Sequence, residues 1–121
     1  MKIKLAFTTI FILLLGFLKA QTVSISPDSN KISFIINCKT TKVEIQKADS
    51  IFKAHRIYTK IKTGRIKKQI SKLNIFVNCA QGNVNYHTDN ADILKNGVMI
   101  LVDKSKNATV ALSVGPYKEQ K

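Results

Sequence analysis

Residues 55–79 read HRIYTKIKTGRIKKQISKLNIFVNC, from His55 to Cys79, and the fold turns on how this stretch is divided. Its first eighteen residues carry Arg56, Lys60, Lys62, Arg65, Lys67, Lys68 and Lys72. They sit in a longer run, 50–88, that contains no acidic residue. A block so one-sided must face water or an anionic partner, because burying unpaired ammonium groups is too costly. The block then passes into LNIFVNC, where Leu73, Ile75, Val77 and Cys79 alternate as the inward face of a strand. One end of the stretch is surface and the other is core.

Between these ends the pattern is divided. Read as a helix, 48–62 places Ile51, Ala54, Tyr58 and Ile61 on one stripe with Ser50 as cap. Read as a strand, Ile57, Thr59, Ile61 and Thr63 alternate against Arg56, Tyr58, Lys60 and Lys62. The β-branched residues and a Thr63-Gly64 turn favour strand from about Arg56. Ile66, Ile70 and Leu73 have helical spacing, but the apolar run beyond them is strand-like. One short helix within 49–73 is therefore allowed for.

Working outward, 22–30 opens as a short alternating segment and closes in a Pro27-Asp28 turn. Residues 31–38 (KISFIINC) read as a strand with Ile32, Phe34, Ile36 and Cys38 on one face. Thr40-Thr41 form a loop, and 42–46 (KVEIQ) resume alternation with Val43 and Ile45 inward. Past Cys79, Gln81-Gly82-Asn83 make a turn and Val84, Tyr86 and Thr88 the next strand. Asn96-Gly97, between ADIL and VMILV, is a type I′ hairpin signal because Asn-Gly tolerates positive φ. A turn over 104–107 precedes a strand at 109–114, and Gly115-Pro116 end the fold, leaving 116–121 as a flexible basic tail. The sum is a mostly-β domain: one small antiparallel sandwich or open jellyroll of seven or eight short strands.

The N-terminus carries a targeting signal. Met1-Lys2-Ile3-Lys4 is a basic n-region, 5–18 an apolar h-region, and Lys19-Ala20-Gln21 offers a small residue at the cleavage position. Residues 1–20 are expected to be a secretory signal peptide, with no transmembrane segment left after cleavage and a secreted or periplasmic destination. Residues 21–115 then form a single domain. Removal of Lys2, Lys4 and Lys19 leaves 17 basic against 7 acidic residues, a charge of +10. In an oxidising compartment the two cysteines, Cys38 and Cys79, are expected to form one disulfide. Closing that loop would stabilise the fold by about 4 kcal/mol in the chain-entropy model.

Residues 31–45 (KISFIINCKTTKVEI) and 72–86 (KLNIFVNCAQGNVNY) align without gaps at an offset of 41. Lys31/Lys72, Asn37/Asn78, Cys38/Cys79 and Val43/Val84 are identical, and Ala48-Asp49 meets Ala91-Asp92 after a two-residue insertion. The echo, 31–49 against 72–92, reads as an internal repeat; two Ile/Lys/Asn-rich hairpins would also resemble each other by composition. The cadence Gly82-Asn83-Val84, Ala91-Asp92, Gly97-Val98 resembles the repeating units of the OstA/LptA-like periplasmic lipopolysaccharide-transport family. That resemblance spans about 40 residues, with a shorter Gly82-to-Ala91 spacing than the family's. It implies an open β-jellyroll whose apolar interior holds acyl chains and whose rim meets phosphorylated sugar. An immunoglobulin domain is disfavoured, since there is no tryptophan and Val77, not tyrosine, precedes Cys79 by two.

Chemistry-bearing patterns are thin. His87, Asp89 and Asp92 could hold a metal, but read more simply as a polar turn. Cys79 with His87 could form a nucleophile–base pair, and the two histidines with lysines could cut RNA. A bridged cysteine is no nucleophile, and no phosphate-cradling glycine loop or zinc spacing is present. No enzymatic activity, cofactor or metal is expected. Asn107-Ala108-Thr109 is a glycosylation acceptor only in a eukaryotic secretory pathway. Nucleic acid is disfavoured because Tyr58 is the sole aromatic inside the basic block. The candidate ligand-binding set is Arg56, Tyr58, Lys60, Lys62, Arg65, Lys67 and Lys68. The expected partner is an anionic envelope component, a lipopolysaccharide-like glycolipid or acidic polysaccharide. The rival is an interaction or inhibitor protein that docks on an acidic protein, with the same patch steering association.

Overall fold

The computed structural model describes residues 23–108 and 110–117. Residues 1–22, which contain the expected signal peptide, Thr109 and 118–121 lie outside them. Among the described residues seven strands form two antiparallel sheets. Strands β1 (Ser24–Ile25), β2 (Lys31–Ile36), β6 (Val98–Asp103) and β7 (Leu112–Pro116) make one sheet in the order β1-β2-β6-β7. Strands β3 (Tyr58–Ile66), β4 (Gln69–Cys79) and β5 (Gly82–Thr88) make the other, a meander in chain order. Helix α1 (Lys42–Ala54) packs on β3, and the short helix α2 (Ala91–Asn96) leads into β6.

The interior is filled by side chains. Ile32, Phe34, Ile36, Val98, Ile100 and Val102 come from the four-stranded sheet, and Leu73, Ile75 and Val77 from β4. Phe52 of α1 and Leu94 of α2 complete the same cluster. The mostly-β class, in two antiparallel sheets, is as the alternating pattern predicts; the helix, thirteen residues long, begins at Lys42, ahead of the 49–73 window in which a short one was allowed for. The open, chain-holding interior that the family resemblance implies is instead a packed core.

Three local expectations are corrected. Residues 42–46 are not a strand but the first turns of α1. Thr41 and Glu44 form a capping box: the Thr41 N–H donates to Glu44 Oε1 at 2.8 Å and the Glu44 N–H to Thr41 Oγ1 at 3.2 Å. This starts the helix nine residues before Ser50. Ile45, Ala48 and Phe52 turn inward, while Val43 is 55 % exposed. The helix stops at a left-handed Arg56 (φ 64°), with Ile57 N–H to Phe52 O at 2.9 Å and Arg56 N–H to Lys53 O at 3.0 Å.

Thr63-Gly64 is no turn. It lies within β3, where the ladder slips between Gly64 and Arg65. The reversal falls on Lys67-Lys68, both left-handed (φ 53° and 69°), as a two-residue hairpin requires. Asn96-Gly97, in turn, ends α2 rather than joining two strands. Asn90 caps that helix through Oδ1 to the Asp92 and Ile93 N–H groups, and Gly97 (φ 114°) terminates it. The same freedom at positive φ serves a helix stop.

Pro116 pairs with Val98, and the Tyr117 N–H donates to Gly97 O at 2.8 Å. The fold thus runs two residues past Gly115. Within the echo, 31–36 and 72–79 are strands in different sheets, and both Ala-Asp pairs open or lie in helices. Residues 42–46 are helix where 83–87 are strand. Among the described residues no helix is long and apolar enough to cross a membrane.

Candidate functional site: the outer face of the three-stranded sheet

Alternation along β3 sends Thr59, Ile61 and Thr63 inward and Tyr58, Lys60 and Lys62 outward. The register then builds rows across the sheet. Tyr58 lies beside Asn78 and Asn83, Lys60 beside Phe76 and Asn85, Lys62 beside Asn74 and His87. Gly64 pairs with Lys72, whose Cβ approaches within 3.4 Å of where a glycine Cβ would sit, so Lys72 lies over it. Lysines, asparagines and two aromatics therefore share one face without an acidic residue.

Tyr58 and Phe76 meet edge to face, ring centroids 6.3 Å apart at 68°. Beside them Lys60, Lys62, Asn74, Phe76 and Asn85 line a shallow depression of about 260 Å³. His87 Nδ1 lies 2.9 Å from Asn74 Oδ1.

The sequence-predicted binding set is split by the fold. Tyr58, Lys60 and Lys62 are together on this face. Lys67 and Lys68 form the hairpin tip, eight or more residues along β3 from Tyr58 and so about 26 Å away at ~3.3 Å per residue. Arg56 is exposed at the opposite end, at the helix stop. Arg65 faces inward: one guanidinium nitrogen donates to Thr40 O at 2.8 Å and the other to Lys68 O at 3.3 Å. It ties the hairpin tip to the loop before α1. Arg65→Met is expected to lower unfolding free energy by about 1.5–3 kcal/mol, the worth of hydrogen bonds to a charged donor. The urea midpoint reads this, and binding at the Tyr58–Lys60–Lys62 face should not change.

Asn74, Phe76, Asn78, Asn83 and Asn85 were outside the predicted set. The signal that finds them is the alternation that assigned Leu73, Ile75 and Val77 to the core: the residues between must face out.

The expected disulfide is overturned. Both thiols are free and half-buried. Cys38 O accepts from the Ile70 N–H at 2.8 Å, and Cys79 lies nine residues further along β4, roughly 30 Å away. A bridge needs the two Cα atoms within about 7 Å. Cys79 also sits across from Gly82, five residues down β5 from His87, so no nucleophile–base pair forms.

Among the described residues no three His, Cys, Asp or Glu side chains gather to hold a metal ion. The displaced carboxylates are those of two turns. Asp28 is held below the usual carboxylate range, chiefly by the Ser26 hydroxyl and then the Asn30 N–H. Asp103 is lowered by the Ser105 hydroxyl and N–H.

Comparison of the chain with protein-family models, with curated proteins and with solved structures finds no match.

Proposed function

We propose that the protein is an exported, non-enzymatic binding protein that lays an acidic glycan, or the acidic sugars of an envelope glycolipid, across the outer face of β3, β4 and β5. The observation that carries this reading is the row Lys60–Phe76–Asn85 with its neighbours Tyr58, Lys62 and Asn74. An aromatic face packs against the apolar side of a sugar ring. Asparagine amides both donate and accept, matching hydroxyl groups. Lysines without competing acids attract carboxylate or phosphate substituents. The signal-like N-terminus supports export. The likeness of residues 82–98 to the OstA/LptA-like family supports an envelope ligand, although Ala91-Asp92 opens a helix here.

The test is titration with polygalacturonate and with deacylated lipopolysaccharide, with neutral dextran as control, at low and high salt. Lys60→Glu combined with Lys62→Glu is expected to weaken binding by about tenfold or more, equivalent to ~1.4 kcal/mol. High salt should weaken the wild type similarly. Phe76→Ser should lower the affinity that survives salt. Equal binding of dextran, or no loss in the double variant, would overturn the proposal.

A further inference from the structure

A second concavity lies away from that face, between the β3–β4 hairpin tip and α2, with a volume of about 570 Å³. Cys38, Ile66, Ile70, Ala91 and Leu94 give it an apolar floor and wall. Lys39, Lys67 and Lys95 stand at its rim, opposed only by Asp89. That volume falls in the range of small-molecule sites, which are mostly apolar with a few convergent polar groups.

The floor is preorganised. The Cys38 N–H donates to Leu94 O at 2.8 Å and its carbonyl accepts from the Ile70 N–H at 2.8 Å, so one residue ties α2 to β4. Arg65 holds the hairpin tip to Thr40. Ile66, at the mouth, is 66 % exposed. It carries the apolar lining out to the mouth of the groove.

From this geometry we infer that the groove binds a medium-chain fatty acid, its alkyl chain along Cys38, Ile66, Ile70 and Leu94 and its carboxylate among Lys39, Lys67 and Lys95. The apolar residues suit a hydrocarbon chain, and three cations against one acid favour an anionic head; Gln69 and Ser71 complete the lining. The site is independent of the glycan face, which lies on the outer side of the sheet.

The two free thiols supply the readout. Cys38 lines the groove, whereas Cys79 is at the far end of β4. The purified protein would be titrated with laurate, and maleimide labelling of each cysteine followed by peptide mass spectrometry. Laurate is expected to slow labelling of Cys38 about tenfold while leaving Cys79 unchanged. Ile66→Glu, at an exposed position, should abolish the protection without unfolding the chain. Combined Lys39→Gln, Lys67→Gln and Lys95→Gln should remove the preference for laurate over the uncharged dodecyl maltoside. Lys60→Glu with Lys62→Glu should leave the protection intact, which separates this site from the glycan face. Unchanged Cys38 labelling at saturating laurate would overturn the inference. So would equal slowing of both thiols, or full protection in Ile66→Glu.

Discussion

Gly97→Ala is expected to be among the most damaging single substitutions in the chain, lowering unfolding free energy by about 2–6 kcal/mol. Two penalties coincide there. The backbone sits at φ 114° and ψ 158°, a region essentially reserved for glycine, where a side chain costs about 1–3 kcal/mol in strain. A Cβ would also stand 2.8 Å from Ile35 Cγ2 on the neighbouring strand, and overpacking of this kind costs about 1–3 kcal/mol more. The position cannot move away, since its N–H donates to Ile93 O and its carbonyl accepts from the Tyr117 N–H, both at 2.8 Å. Each kcal/mol is worth about 4–8 °C in a domain of this size, so a fall of roughly 10 °C or more should be seen by calorimetry. Asn96→Ala, one residue earlier at an exposed position, is expected to stay within about 0.5 kcal/mol. Equal tolerance at the two positions would refute the helix stop described for Gly97.

Phe52→Ala is expected to cost about 3–5 kcal/mol, the range for deleting a buried phenyl ring. Phe52 is fully buried. It is one of only two α1 side chains in the buried core, with Ala48. Its carbonyl also anchors the end of the helix through the His55 and Ile57 N–H groups. A small domain has about 5–15 kcal/mol of net stability, so the variant should be partly unfolded at ambient temperature or close to it. Val43→Ala is the matched contrast. If 42–46 were a strand with Val43 inward, it would lose about 1–3 kcal/mol; on the exposed side of a capped helix it should lose next to nothing. Urea unfolding of the pair separates the two structures directly.

How far the sequence carried the reading depended on which signal was local. Period-two alternation identified β2, β4 and β5 with their inward residues, because a sheet buried on one face writes its register into every second position. Capping chemistry outranked alternation at 42–46. Val43 and Ile45 alternate, yet the Thr41–Glu44 box nucleates a helix whose buried stripe runs through Ile45, Ala48 and Phe52, and a five-residue window is too short to tell the two apart. Positive φ was legible as a need but not as a location. Asn96-Gly97 supplied it for a helix end, whereas the true hairpin uses Lys67-Lys68, residues with no preference for that conformation. At the candidate site, outward Tyr58, Lys60 and Lys62 were readable from β3 itself. That Phe76 and the asparagines face out follows from the alternation of their own strands; that they lie beside Tyr58, Lys60 and Lys62 required the cross-strand register. Arg65 was counted as another surface cation although the alternation that turns Thr59, Ile61 and Thr63 inward reaches it as well; the ladder's extra residue, Ser71, lies on β4. The cysteine pairing failed on distance: their shared place in two like segments says nothing of the roughly 30 Å of β4 that lies between them.

The order of the strands has a consequence for how the chain reaches this structure. The β3-β4-β5 meander is joined by two-residue reversals, so its contacts close small loops and can form early. The other sheet is different in kind. Its central ladder pairs Lys31 with Asp103 and Ile36 with Val98, partners separated by most of the domain. Closing so long a loop must precede any gain from the pairing, which places the protein among slow, high-contact-order folders. Until β6 arrives, the KISFII strand keeps Ile32, Phe34 and Ile36 without their cover. During synthesis it emerges early and waits for β6, and that interval is when the chain is most open to self-association.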